Sequence, residues 1–187
     1  MGEYWTEHAH RALELASQEA DRLHHDSLRT EHILLGLIQQ GCATAEILNA
    51  LGIEPSRIRQ EVARLVQPGT APTTRGQLGR SRLAKAVLQA ASEEARNLAM
   101  ELPGPGEQLL GYSVGPEALL LGLLHEPKSV AAQALMNLGL TLEGMREKVH
   151  EKWGVKKPEA LNLSEVELAN LPAEARRALT ELSAQLE

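Results

Sequence analysis

The sequence predicts an all-α protein made of two copies of one helical unit. Three observations carry that prediction. Apolar residues recur at helical spacing, the same pattern returns later in the chain at a nearly fixed offset, and the composition suits helix packing. Aromatic residues make up 2% of the chain with no Phe, so the core must be built from Leu, Ile, Val and Ala. Strands lean on aromatic and β-branched residues, whereas Leu and Ala pack well between helices.

The repeat organises everything else, and repeats are the first thing to seek in a chain of this kind. A shift of 75 superimposes Ala9, Ala12, Leu13, Ala16, Ala20 and Leu23 on Ala84, Val87, Leu88, Ala91, Ala95 and Leu98. Their spacings of 3, 1, 3, 4 and 3 trace one face of a helix. A shift of 86 lays EHILLGLI (Glu31 to Ile38) on EALLLGLL (Glu117 to Leu124), aligning Glu31 with Glu117 and Gly36 with Gly122. At a shift of 87, Ala45, Leu48, Leu51, Gly52, Arg59 and Val62 meet Ala132, Leu135, Leu138, Gly139, Arg146 and Val149. The rise from 75 to 86 means that the second copy carries 11 additional residues (86 − 75), within AMELPGPGEQLLGYSVG (residues 99–115). Its Gly and Pro content predicts an exposed loop.

Each copy reads as four helices. In the first, Thr6 caps a helix to about Leu23, Thr30 caps a short apolar one to about Gln39, and Thr44 caps a third ended by Gly52. Pro55 opens a fourth that runs to about Val66, before Pro68. In the second copy the corresponding places are taken by Ser81, Pro116, Lys128 to Leu138, and Thr141 to Trp153. The second helix of each copy is apolar nearly all round, so it belongs at the centre of its unit. Trp5 and Trp153 are expected to close the ends of the core, and Met136 and Met145 to lie inside it. Repeat one is thus 4–66, a linker spans 67–79, and repeat two is 80–154. Residues 155–187 are a polar stretch, with a short helix begun at Ser164 at most, followed by an amphipathic helix. Pro172 is in its first turn, and Leu179, Leu182 and Leu186 share one face.

Several functions are disfavoured. A chain of 187 residues buries a core without staples. Its single cysteine, Cys42, forms no internal bridge; it is expected in the turn before the third helix, with no catalytic partner in view. The polar start from Met1 to His10 has no signal-peptide pattern, which predicts a cytoplasmic protein. No apolar run nears the roughly 20 residues that cross a bilayer, so no membrane partner is expected. With 19 Lys and Arg against 25 Asp and Glu, the net charge of −6 disfavours nucleic acid as the main ligand. The seven histidines include His8 with His10 and His24 with His25, but neither spacing gives the i, i+4 pair of a helical zinc site. No catalytic set and no cofactor or metal site is predicted, and the chain is not expected to be an enzyme.

The run LRTEHILLGLI, preceded by WTEHAHRALELASQEADRL and followed by ILNALGIEPSRIRQEV, resembles the Clp N-terminal repeat. The resemblance covers residues 4–154, with TEHILLGL its most specific string and GPEALLLGLL the weaker second copy. It implies two tandem four-helix repeats related by a pseudo-twofold axis. It also implies a non-enzymatic module that binds adaptor proteins and protein substrates and recruits them to, or regulates, an ATP-dependent Clp protease through its unfoldase or protease subunits. Unfolding itself needs a nucleotide loop of the form GxxxxGK[ST], which this sequence lacks; PGPGEQ has no lysine. Because the chain runs past the repeats to Glu187, a free-standing relative is expected rather than a fragment of an unfoldase. The alternative is an oligomeric scaffold or stress regulator that associates through its C-terminal helix.

The resemblance also implies a ligand site. In ClpC-type domains the glutamates matching Glu31 and Glu117 hold the guanidinium of phosphorylated arginine, and the phosphate lies near the start of the first helix, matched here by Thr6 and Ser81. A hydroxyl and backbone amides at a helix start suit an anion. The plainer roles are favourable carboxylates at helix starts for Glu31 and Glu117, worth about 0.5 kcal/mol each, and helix capping for Thr6 and Ser81. This chain departs from the family pattern at several points: His8 and Leu83 stand where a basic residue is usual, although Arg80 and Arg82 are close. Pro116 and Ala118 replace the Thr and His of TEH, and the insertion follows the second copy's first helix. His32 is expected to be a hydrogen-bonded histidine at a helix start.

Overall fold

The computed structural model describes residues 3–41, 43–70, 78–101 and 112–153. In chain order the elements are β1 (Glu3–Trp5), α1 (Glu7–Arg22), β2 (Ser27–Leu28), α2 (Thr30–Gln40), α3 (Ala43–Ala50) and α4 (Pro55–Leu65). Then come β3 (Gly79–Arg80), α5 (Arg82–Glu101), β4 (Tyr112–Val114), α6 (Pro116–Leu124), α7 (Val130–Asn137) and α8 (Leu142–Trp153). The fold is all-α, with four helices in each copy among the described residues.

Local chemistry starts and stops these helices. The Thr6 hydroxyl accepts from the Ala9 amide at 3.1 Å, and Ser81 does the same for Ala84 at 3.2 Å. Thr141 accepts from Gly144 at 3.1 Å. Each satisfies one of the amides a helix start leaves without a partner. Gly52 and Gly139, equivalent in the two copies, take φ of 72° and 85° just past α3 and α7, a left-handed turn that glycine enters without strain.

Some expected starts move. Thr30 is not a cap: Arg29 takes that position, and its amide donates to Nδ1 of His32 at 3.0 Å. Thr44 lies inside the first turn of α3 and is fully buried, because that helix already begins at Ala43. The third helix of repeat two starts after Ser129, whose hydroxyl accepts from Ala132 at 3.1 Å, and not at Lys128. Within the expected 99–115 loop, α5 continues to Glu101 and β4 begins at Tyr112, while 102–111, like Cys42, the tail helix and the Trp153 side chain, lie outside the described residues.

The central helices are buried as their composition requires. Every residue from Thr30 to Ile38 and every residue of α6 is buried. Each Leu or Ile so placed contributes about 1.5–3 kcal/mol relative to exposure. α2 packs chiefly on α1, and α6 on α5. The approach is set by a glycine on each central helix, where a Cβ on Gly36 would lie 2.2 Å from the Ala12 carbonyl oxygen and one on Gly122 would lie 2.6 Å from that of Val87. Met145 is fully buried as expected, whereas Met136 is 42% exposed. One residue beyond buried Leu135, Met136 is rotated about 100° off the core stripe, where its counterpart Asn49 also faces solvent. Trp5 is half-buried against the core.

Two parallel mini-sheets join the copies. Glu3, Tyr4 and Trp5 pair with Tyr112, Ser113 and Val114, and Ser27 and Leu28 pair with Gly79 and Arg80. In each, the strand before one copy's first helix lies beside the strand before the other copy's second helix, so exchanging the copies maps one sheet onto the other. Runs of two or three residues are too short for strand alternation to be legible in the sequence. No described helix is long and apolar enough to cross a membrane.

Candidate functional site

The mini-sheets place the four candidate residues. After β1, the Thr6 amide donates to the Val114 carbonyl at 3.1 Å, and Glu117 follows Val114 by three residues. After β3, the Ser81 amide donates to the Leu28 carbonyl at 2.9 Å, and Glu31 follows Leu28 by three. The main chain thus sets Thr6 beside the turn that leads to Glu117, and Ser81 beside the turn that leads to Glu31. Both groupings cross between the copies, which the sequence alone does not reveal, because the pairing runs through strands too short to read.

Glu31 is 4% exposed and Glu117 6%, each in the first turn of its central helix. Glu31 accepts from the Thr30 hydroxyl at 3.3 Å. Gly115 makes room for Glu117: a Cβ there would stand 2.9 Å from Oε2 of that carboxylate. Repeat one has Arg29 at the equivalent position, with its guanidinium turned to Asp26 at 3.5 Å. Buried carboxylates at helix starts attract a cation, and a guanidinium binds a carboxylate bidentately. The Thr6 and Ser81 oxygens accept the cap hydrogen bonds, and among the described residues each hydroxyl proton is left for an acceptor such as a phosphate oxygen. Their own amides are committed to the sheets, so any amides offered to an anion come from the following turn.

The structure adds a cluster that reading the repeat for apolar identities missed. Glu94 on α5 is 3% exposed and accepts from His125 Nε2 at 2.6 Å and from the Arg146 guanidinium at 2.5 and 3.4 Å. Burial, the largest single influence, raises its pKa, but the hydrogen bonds and charges of Arg146 and His125 outweigh it, leaving the carboxyl below its usual range. In repeat one Glu19 is buried likewise, 2.8 Å from Arg22 and 3.9 Å from Arg59. Glu19 maps onto Glu94 by the shift of 75, and Arg59 onto Arg146 by the shift of 87. Combining the two alignments was the available signal.

His25, in the connection between α1 and β2, and His32, in the first turn of α2, are both buried. His25 Nδ1 lies 2.8 Å from His32 Nε2, and with Glu31 they form a group whose ligand atoms fall within 4.8 Å. The Arg29 amide at His32 Nδ1 puts the ring proton on Nε2, which donates to His25 Nδ1; His25 Nε2 then donates to the Gln67 carbonyl at 3.0 Å. Every ring nitrogen is used, and the lone pair a cation would need at His32 Nε2 is occupied by a proton. Burial first, then His25 and Arg29, hold the His32 pKa down to about 3. The two rings form a buried hydrogen-bonded chain from the Arg29 amide to the Gln67 carbonyl.

This arrangement defines a class: a double-repeat helical module with a buried carboxylate in the first turn of the central helix of each copy. The chain belongs to the family described as the Clp repeat (R) N-terminal domain, whose model matches residues 4–114. It is 39% identical over 158 residues to the chaperone protein ClpB of Oceanobacillus iheyensis, covering 83% of this chain and 18% of that one. It is 38% identical over 152 residues to the negative regulator of genetic competence ClpC/MecB of Bacillus subtilis, covering 80% and 17%. The chain therefore spans less than a fifth of the length of these relatives. Among solved structures it is similar to the N-terminal domain of ClpD from Arabidopsis thaliana (TM-score 0.58, 23% identity, covering 79% of this chain and 93% of that one). The Hsp104 N-terminal domain from Candida albicans matches likewise (TM-score 0.63, 18% identity, covering 82% and 94%). These two likenesses support the all-α fold.

Proposed function

We propose that residues 4–154 form a non-enzymatic recruiting module that binds protein substrates or adaptors and delivers them to an ATP-dependent Clp protease. The observation that carries this reading is the pair of buried carboxylates, Glu31 and Glu117, at equivalent helix starts in a chain of the Clp repeat family. Within the module, Thr6 with Glu117 and Ser81 with Glu31 make two composite sites, each offering a carboxylate for a guanidinium and a hydroxyl for a phosphate, the chemistry of phosphoarginine. Engaging a client at two equivalent sites raises its effective local concentration, so a large buried interface is not required.

The test is capture by the full chain from lysate, read by mass spectrometry. Recovery of Clp unfoldase or peptidase subunits together with arginine-phosphorylated proteins is expected. Consistent absence of all of these would overturn the recruiting role.

A further inference from the structure

Repeat one carries a concave pocket lined by none of the four residues above. A pocket of about 260 Å³ opens between the end of α1 and α4. Leu23, Leu35, Val62, Val66 and Pro68 form its apolar walls, and Arg22 and Arg59 line it as well. The Val66–Pro68 wall is anchored: the Gln67 carbonyl accepts from His25 at 3.0 Å, and the Gly69 amide donates to the Leu23 carbonyl at 2.7 Å. Gly69 permits that approach, since a Cβ there would stand 2.2 Å from the His24 carbonyl oxygen. The pocket is therefore built before any ligand arrives, as small-molecule sites generally are.

Charge decides what it takes. Two guanidiniums share one buried carboxylate, Glu19, and Arg59 reaches it only at 3.9 Å, so among the described residues most of that fork of donors is unspent. Repeat two supplies an internal comparison. Its corresponding pocket is lined by Glu94, Asn97, Leu98, Met100, Arg146 and His150, where Asn97 replaces Arg22 and Arg146 is committed to Glu94 through two nitrogens. Among the described residues lining the two pockets, a second arginine is present in repeat one and replaced in repeat two. An apolar pocket with a cationic lining fits an aliphatic group attached to a carboxylate. At about 260 Å³ it falls below the roughly 300–1,000 Å³ that takes a drug-sized ligand, which suits the end of a chain better than a segment passing across. We propose that this pocket receives the free C-terminal carboxylate of a polypeptide ending in aliphatic residues, with Arg59 as the principal partner and Arg22 assisting.

Fluorescence anisotropy on the full chain tests this with three labelled hexapeptides: one ending in Leu-Leu with a free acid, its C-terminal amide, and an amidated peptide with Glu between leucines. The free acid is expected to bind, and the other two about tenfold more weakly, the scale of one hydrogen-bonded charge. Arg59→Gln is expected to weaken the acid about tenfold. Arg22→Asn, which copies repeat two, should weaken it less. Ala63 lines the pocket from an exposed position, so Ala63→Phe should obstruct the site without disturbing the fold. No binding of the acid at millimolar concentration, equal binding of acid and amide, or an affinity unmoved by both Arg59→Gln and Ala63→Phe would overturn the assignment. Equal binding of the internal-Glu peptide would overturn the chain-end specificity.

Discussion

Gly36 meets the main chain of Ala12: a Cβ on the glycine would lie 2.2 Å from the Ala12 carbonyl oxygen and 2.7 Å from the Ala16 amide nitrogen. Gly122 repeats the relationship with Val87 and Ala91, at 2.6 and 2.8 Å. Backbone on both sides of the contact means that neither helix can yield locally. Alanine would improve helix propensity by about 1 kcal/mol, but overpacking a rigid contact costs about 1–3 kcal/mol or more. Gly36→Ala and Gly122→Ala should each lower stability, by up to about 2 kcal/mol net, in urea unfolding; an increase in stability would show that the helices are not held this closely.

Arg146 shields a carboxylate that has little access to water. Removing it leaves Glu94 buried with His125 alone, and breaking a buried pair in this way costs about 3–5 kcal/mol; the half-exposed guanidinium reduces that to about 2–3 kcal/mol. Arg59→Ala should cost less, because Arg22 still holds Glu19 at 2.8 Å. The comparison is made by chemical denaturation of the two variants, and equal losses would contradict it. The pH dependence has a definite sign. A carboxyl held below its usual range adds stability that is complete above the unfolded-state pKa and is lost as pH falls through the folded one. Glu94→Gln should therefore flatten the acid limb of the stability profile.

The His25–His32 chain makes a separate acid-side prediction. With a folded pKa of about 3 against 6.5 in the unfolded chain, His32 takes up its proton on unfolding. Stability is then complete above pH 6.5 and falls between pH 6.5 and 3, by up to about 5 kcal/mol. A His32→Gln variant should be less stable at neutral pH and show a shallower slope across that window in thermal melts. An unchanged slope would mean that another group carries the titration.

Much of this architecture was legible because helices announce themselves through spacing. The stripe from Ala9 to Leu23, the all-apolar EHILLGLI and the glycines at 52 and 139 each marked an element that the structure contains. The caps at Thr6, Ser81 and Thr141 were equally readable, since capping chemistry is local. The cap before α2 was not, because a histidine side chain three residues on replaces the usual hydroxyl device. The mini-sheets were too short to carry a period, so the crossed placement of Thr6 with Glu117 and Ser81 with Glu31 stayed hidden. His25 with His32 and Glu94 with Arg146 are contacts between separate elements, which periodicity within one element cannot report.

Calorimetric titration of the full chain with a phosphoarginine peptide, alongside the same peptide with plain arginine, tests the two-site recruiting module most directly. The account predicts binding of the phosphorylated peptide alone, one site lost in Glu31→Gln, the other in Glu117→Gln, and no heat in the double variant. No binding by the unaltered protein, or undiminished binding by the double variant, would contradict it.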